Sequence, residues 1–356
     1  MAIANNGVLQ KEQITEQLMK DLANNHPELS FEQVLTMVKK TLPNDYVPLM
    51  NIYALHVKRL RHVQDAFEYA NLFRQVDTLG KMIQIHENDD LLQEWVQVYR
   101  FFYDFLPHLK IDDVLIRNIR NLFGLVKHPQ LRMRLEIAEL NYFDNHGSIN
   151  NLTPMMKQFK EQFKTMPSGF FKSALAARVT LLAGNASLFG DGDYEEAERC
   201  YLAATVIEAI PDVLLVTAYH GLGLVYLKDN KQQCLDAHQK ALFYAQRSKL
   251  DHYHQNLEYD YIPFVKNMLG EIFDIDHVTP KEQAHQYVVR GETRKALEII
   301  SQLETPGKKD AHLLFYKAKA LKSIPLFFET IKAFSSEGYT HMIGFAEKEI
   351  KKIKFF

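Results

Sequence analysis

Residues 178–188 read Arg178-Val179-Thr180-Leu181-Leu182-Ala183-Gly184-Asn185-Ala186-Ser187-Leu188, and they open a stretch to residue 245 that forms one loaded helix and then two helical hairpins. A tetratricopeptide repeat folds ~34 residues into two antiparallel helices. Small residues at its eighth, twentieth and twenty-seventh positions let the helices approach, and a turn residue separates them. Here Asn185 falls at the eighth position, Ala197 at the twentieth, Tyr201 at the twenty-fourth and Ala204 at the twenty-seventh. The eighth position therefore carries an amide where a small apolar residue is usual. In the next unit, Ala218-Tyr219-His220-Gly221-Leu222-Gly223-Leu224-Val225-Tyr226 supplies the small-residue run, with Ala237 arriving two residues late. A further unit around Tyr287–Ile300 places Ala284, Gly291 and Ala296 at the first small position, the turn and the second small position. Phe143, Gly147, Leu152 and Met156 fit the same frame more loosely. Several degenerate repeats in one register predict an all-α chain, an α-solenoid of tetratricopeptide-like helical hairpins.

The remainder is helical too, but less regular. Residues 9–24 and 30–42 read as short helices, with Ser30 and Gln33 spaced as a capping box and Pro43-Asn44-Asp45 as the stop. From Tyr46 to Ile85 apolar residues keep helical spacing. Trp95, Val98, Tyr99, Phe102, Phe105 and Leu106 make an aromatic stripe that reads either as a ligand wall or as core. Asp112 to Val126 is a further helix, closed by His128-Pro129. The expected organisation is a short N-terminal helical region at 1–45, an irregular helical-repeat half at 46–165, and a tetratricopeptide-like half at 166–356.

Composition narrows the function. With 47% hydrophobic and 24% charged residues the chain can bury a core, and only 12 Pro and 15 Gly favour helix throughout. A formal net charge of -2 gives no global attraction for nucleic acid. Two cysteines, Cys200 and Cys234, form neither a disulfide framework nor a zinc motif. Residues 1–7 lack a charged segment followed by an apolar one, and no apolar run approaches the ~20 residues of a membrane span. A cytoplasmic protein is expected.

No GxxxxGK[ST] loop, GxSxG elbow or HExxH pair occurs, so no catalytic residue is expected. Gly190-Asp191-Gly192-Asp193 lacks the spacing of a calcium loop and reads as a polar turn in which Gly supplies positive φ. His252, His254, Glu258 and Asp260 are metal-ligand types, yet their spacing matches no structural site, and the tract reads as a join between repeats. No metal or cofactor is expected. Lys348, Lys351, Lys352 and Lys354 read as a solvated helix end.

A set of segments carries a family resemblance. In order they are Ala66-Phe67-Glu68-Tyr69-Ala70, Asp77-Thr78-Leu79, Glu94-Trp95 with Val98-Tyr99, and Gly169-Phe170. Arg178-Val179 with Leu182, Asn185 and Leu188 follows, then Glu282-Gln283-Ala284-His285 and Lys295-Ala296-Leu297-Glu298-Ile299. From about Leu35 to Phe345 the chain resembles AimR, the arbitrium receptors of temperate phages of bacilli. The resemblance implies a homodimeric α-solenoid whose groove takes a signalling peptide of about six residues. It implies that the unliganded receptor binds DNA and promotes lysis, and that peptide rearranges the dimer and releases DNA. The peptide must then favour one conformation over the other, since equal affinity shifts nothing.

Carried over by residue, the resemblance makes Asn185 an amide that bonds peptide backbone, although a helix cap explains it equally. Arg178 either contacts peptide or braces the repeats. Tyr219, Glu282 and Gln283 join the peptide-binding set, and Glu337 lies near an acidic residue suited to a cationic peptide. Two departures stand out: Gly223-Leu224 replaces a Gly-Asn, and Val213 replaces an arginine of some members. Relatives also carry a helix-turn-helix ahead of the helix at 30–42, and this chain is expected to lack a complete one. Lys58, Arg59 and Arg61, with His62, are the compact N-terminal basic cluster, either a solvated face or a phosphate contact. The reading is a peptide receptor regulating the lysis–lysogeny choice. Its rival is a protein-interaction module that sequesters a partner without binding DNA.

Overall fold

The computed structural model describes residues 2–105, 113–145, 152–305 and 310–354, and among these helices and turns dominate and no strand runs. The helices are α1 (Ala2–Asn25), α2 (Phe31–Thr41), α3 (Tyr46–His56), α4 (Leu60–Leu72), α5 (Val76–Ile85), α6 (Gln93–Phe105) and α7 (Asp113–Leu125). Then come α8 (Pro129–Asn145), α9 (Leu152–Thr165), α10 (Phe170–Asn185), α11 (Tyr194–Thr205), α12 (Asp212–Tyr226), α13 (Lys231–Arg247) and α14 (Asp251–Asn256). The chain ends with α15 (Ile262–Met268), α16 (Pro280–Val289), α17 (Thr293–Leu303), α18 (Ala311–Leu321), α19 (Ile324–Ser336) and α20 (Ile343–Lys354). π-Helical turns at Ala186–Asp191 and Leu257–Tyr261 interrupt the series, and a 3-10 turn at Thr340–Met342 precedes α20. No described helix is long and apolar enough to cross a membrane.

Helix ends follow local chemistry. Ser30 accepts from the Gln33 N–H while the Gln33 side chain accepts from the Ser30 N–H, so two otherwise orphaned donors are satisfied at the start of α2. Asp193, Asn230, Asp310 and Ser323 cap α11, α13, α18 and α19 in the simpler one-sided way. Gly291, at φ +76°, reverses the chain between α16 and α17, a left-handed conformation that a Cβ would oppose.

The chain divides into two compact units, one of Met1–Tyr142, Lys157–Val179 and Ile207–Pro211, the other of Phe143–Met156, Thr180–Val206 and Asp212–Phe356. In the first, Phe31 meets Tyr53, Tyr69 and Phe170 at ring separations of 5.5, 5.5 and 5.3 Å. Trp95, Val98, Tyr99 and Phe102 are buried, so the aromatic stripe is core; Leu106 lies outside the described residues. α4 is buried along most of its length and carries Glu68 inside, 0% exposed. Glu68 accepts from Arg134 at 3.1 Å, from Arg178 at 3.1 and 3.2 Å, and from the Tyr99 hydroxyl at 2.7 Å. Burial alone would push this carboxyl up, but the two guanidinium groups and the hydroxyl outweigh it and hold the carboxyl below its ordinary value.

The second unit is a run of hairpins held close by absent side chains. A Cβ on Gly184 would stand 2.7 Å from the Tyr201 ring, and one on Gly221 or Gly223 would overlap Tyr201 or His238. Ala197, Tyr201 and Ala204 are fully buried, as are Ala284 and Ala296, as the repeat frame requires. In the loose unit near 143–156, Gly147 lies outside the described residues. The first π-helical turn and the start of α11 are tied to the last hairpin: Thr340 donates to the Phe189 carbonyl at 2.6 Å and Tyr194 donates to the His341 carbonyl at 2.6 Å.

Candidate functional site

A groove in the second unit is built from two adjoining cavities of about 320 and 290 Å3 that share Phe189, His220, Leu224, Tyr261 and Tyr339. Both π-helical turns supply wall residues, Phe189 from one and Tyr261 from the other, consistent with the tendency of such bulges to sit at functional sites. The first cavity is closed by Asp144, Asn185, Tyr201, Thr217, Tyr253 and Glu337. The second is closed by Asp260, Phe264, Lys281, Glu282, His312 and His341.

Asn185 ends α10, and its side chain makes no capping bond. Its amide donates to Asp144 at 2.7 Å and its oxygen accepts from the Tyr201 hydroxyl at 2.8 Å. One N–H and one lone pair remain for a ligand. Asp144 has its carboxyl raised because burial outweighs the Asn185 bond, and it pairs with no cation among the described residues. Four carboxyls, Asp144, Asp260, Glu282 and Glu337, line the groove, the first three raised by burial; among the described wall residues the one ammonium is Lys281, which already faces Asp310 at 3.1 Å. The imidazoles do not offset this. Burial pushes His220, His312 and His341 down to about 3, so all three are neutral near pH 7. His220 Nε2 and His341 Nδ1 are buried without a hydrogen-bond partner. The groove is acidic and lined with aromatic rings.

Glu282 meets the second cavity from within a polar knot. It is 2% exposed, accepts from Tyr316 at 2.5 Å and from Asn267 at 3.0 Å, and lies 3.2 Å from His285 Nδ1. Gln286 donates to the Asn267 oxygen at 2.5 Å, and Lys319 lies 3.3 Å from His285 Nε2. Burial pushes the Glu282 carboxyl up to about 7, although Tyr316 and Asn267 draw it back.

The residues singled out from sequence divide between several places. Asn185, Glu282 and Glu337 line the groove; Gln283 donates to the Ile275 and Val278 carbonyls at 3.2 and 2.9 Å, tying the loop before α16. Tyr219 stacks on Tyr244 at 5.5 Å beneath the Lys240 ammonium and is not a groove wall. Arg178 lies in the first unit, on Glu68 and Asn71, where it braces helices. Lys58, Arg59 and Arg61 are exposed at the start of α4. Leu224, one of the two departures, is a wall of both cavities. Sequence reasoning missed Asp144, His220, His312 and Tyr339. The 252–260 tract did signal the site, but through Tyr253, Asp260 and the adjoining Tyr261 as walls.

Stacked helical hairpins with an acidic, aromatic groove in one unit define a helical-repeat protein. A family model described as AimR transcriptional regulator-like matches residues 47–352. The chain belongs to this family of transcriptional regulators. It is similar to the AimR transcriptional regulator of Bacillus phage phi3T, 22% identical over 312 residues that make up 82% of this chain and 78% of that one. Its fold is similar to the solved structure of selenomethionine phAimR, with a TM-score of 0.68 and 17% identity, covering 99% of this chain and 96% of that one. The ligand-bound structure of phAimR is similar at a TM-score of 0.66 and 18% identity, covering 90% of this chain and 96% of that one.

Proposed function

We propose that this chain is an intracellular receptor for a short signalling peptide of about six residues, read in extended form, and that it regulates the lysis–lysogeny decision of a phage. The observation that carries this reading is the Asp144–Asn185–Tyr201 chain of hydrogen bonds exposed to an acidic groove. Asn185 offers a donor and an acceptor to peptide backbone. Asp144, without a cation of its own, suits the amino terminus or a basic side chain, and so does Glu337 across the same cavity. The tyrosines and Phe189 receive aliphatic side chains.

In this reading the peptide spans the first π-helical turn and the last hairpin, which are already hydrogen-bonded to each other and both wall the groove, and a homodimer of the receptor changes its arrangement and its hold on DNA. Only a peptide that fits one arrangement better than the other can do so. Supporting evidence is family membership and the ligand-bound relative of the same fold. The test is calorimetry against synthetic hexapeptides taken from the C-terminal ends of small open reading frames beside the gene. Binding that Asn185→Ala weakens by roughly 1–2 kcal/mol, the worth of hydrogen bonds near charge, is expected. If no such peptide binds tighter than about 1 mM, the receptor reading fails.

A further inference from the structure

We propose that the first unit carries a second docking groove, and that it takes an acidic, partly apolar peptide segment of a partner protein. Two cavities of about 580 and 290 Å3 adjoin there through Gln64, Gln130 and Pro167. Buried Met133, Met166 and Phe171 face them. Three side-chain atoms of the larger cavity's wall, His128 Nδ1, Glu136 Oε2 and Gln162 Oε1, are shut from solvent and have no hydrogen-bond partner among the described residues. An unpaired buried polar atom costs about 1–3 kcal/mol, and an extended peptide backbone bears the N–H groups that would relieve it.

The rim supplies charge. Arg59, Arg61, Lys127, Arg132 and Lys172 border the two cavities, and none forms an ion pair with a carboxylate among the described residues. Three of them donate instead to backbone carbonyls: Arg59 to Pro27, Arg132 to Phe123 and Val126, and Lys172 to Met166. These bonds fix the cations without cancelling their charge. Two carboxyls lie inside this rim: burial pushes Asp65 up to about 7, although the Phe171 N–H and Arg61 draw it back, and burial raises Glu136, although Gln162 and Arg132 draw it back.

A rim of cations over an apolar floor with orphaned acceptors fits a peptide whose carboxylates meet the rim and whose apolar side chains fill the floor. A nucleic-acid duplex would meet the rim alone and leave the Met133 and Met166 pocket empty. The proposal does not depend on the groove of the second unit, whose acidic walls select the opposite charge.

The experiment is selection of a randomised peptide display library on the full chain, on Arg61→Glu/Lys127→Glu and on the milder Arg61→Gln/Lys127→Gln, each checked for folding by circular dichroism. Peptides rich in Asp and Glu with interspersed apolar residues are expected. A synthetic representative loses at least about tenfold in affinity on charge reversal and less on neutralisation, as rim charges do. Absence of acidic enrichment, or equal affinity for all three proteins, overturns the proposal. So does binding of a labelled duplex DNA that the same reversal abolishes while no acidic peptide is selected.

Discussion

Replacing Glu68 by Gln keeps the shape of the side chain and removes its charge. Arg134, 5% exposed, and Arg178, 17% exposed, then face each other across a neutral amide in the interior. Breaking a buried ion pair by removing one partner costs about 3–5 kcal/mol, because the remaining charge is stranded. For a unit of this size that lowers the melting temperature by roughly 6–20 °C, at about 2–4 °C per kcal/mol. Thermal unfolding followed by circular dichroism gives the number. The apolar triple variant Glu68→Leu/Arg134→Met/Arg178→Met is expected to recover at least half of it, since it removes all three charges together. Of the residues singled out for peptide binding, Arg178 sits in this brace and not in the groove, so Arg178→Met is expected to lower stability and leave the affinity for the proposed peptide unchanged. A Glu68→Gln variant within about 1 kcal/mol of the parent, the worth of an exposed pair, would refute the argument. So would Arg178→Met that binds peptide tenfold more weakly at full stability.

Further expectations follow from the hairpin packing and the imidazoles. Gly223→Ala gains helix propensity of about 1 kcal/mol, yet its methyl overlaps the His238 ring and costs about 1–3 kcal/mol or more, so it destabilises; Gly124→Ala, with open space around it, is the stabilising control in the same urea titration. Acid is expected to unfold the chain early. His220, His312 and His341 are lowered to about 3 and His238 to about 4, so between pH 6.5 and these values the unfolded chain binds protons the folded one refuses, and stability falls with pH. Asp65 and Glu282, raised to about 7, act the other way, gaining stability as pH falls from 7 towards their ordinary values. With His285 also held well below its ordinary value, the imidazoles outweigh Asp65 and Glu282, and stability is expected to fall from pH 6 to 5; a flat stability profile over that range contradicts the burial of these histidines as neutral groups.

What the sequence revealed was local. The Ser30–Gln33 capping box, the Gly291 reversal, and Ala284 and Ala296 as close-approach points depend on residues a few places apart, and each stands where its spacing puts it. The polar turn at Gly192, φ +67°, belongs with them. The site was less legible because its contacts join distant segments. Asn185 was marked by its misplacement in the repeat frame, but its partner Asp144 lies 41 positions back and carries no local signal. Arg178 and Glu68 both fell within segments of the family resemblance, yet 110 positions separate them, and only their meeting decides between a groove contact and a brace. The histidine-rich tract drew attention for its metal-ligand residue types. Its place in the fold comes from tyrosines, which fill space between hairpins and expose one polar edge to the groove.

The knot around Glu282 has a mechanical consequence. It fastens α15, α16 and α18 through bonds whose donors and acceptors match in only one alignment: Asn267 to Glu282, Gln286 to Asn267, and Tyr316 to Glu282. Sliding α16 by one turn past its neighbours would break all three and leave a carboxyl and two amides unsatisfied in the interior. The C-terminal hairpins are thus keyed like teeth in a lock and are expected to move as a block. In the proposed peptide-bound state, adjustment is expected elsewhere, at the π-helical turns, where the helical ladder is already irregular.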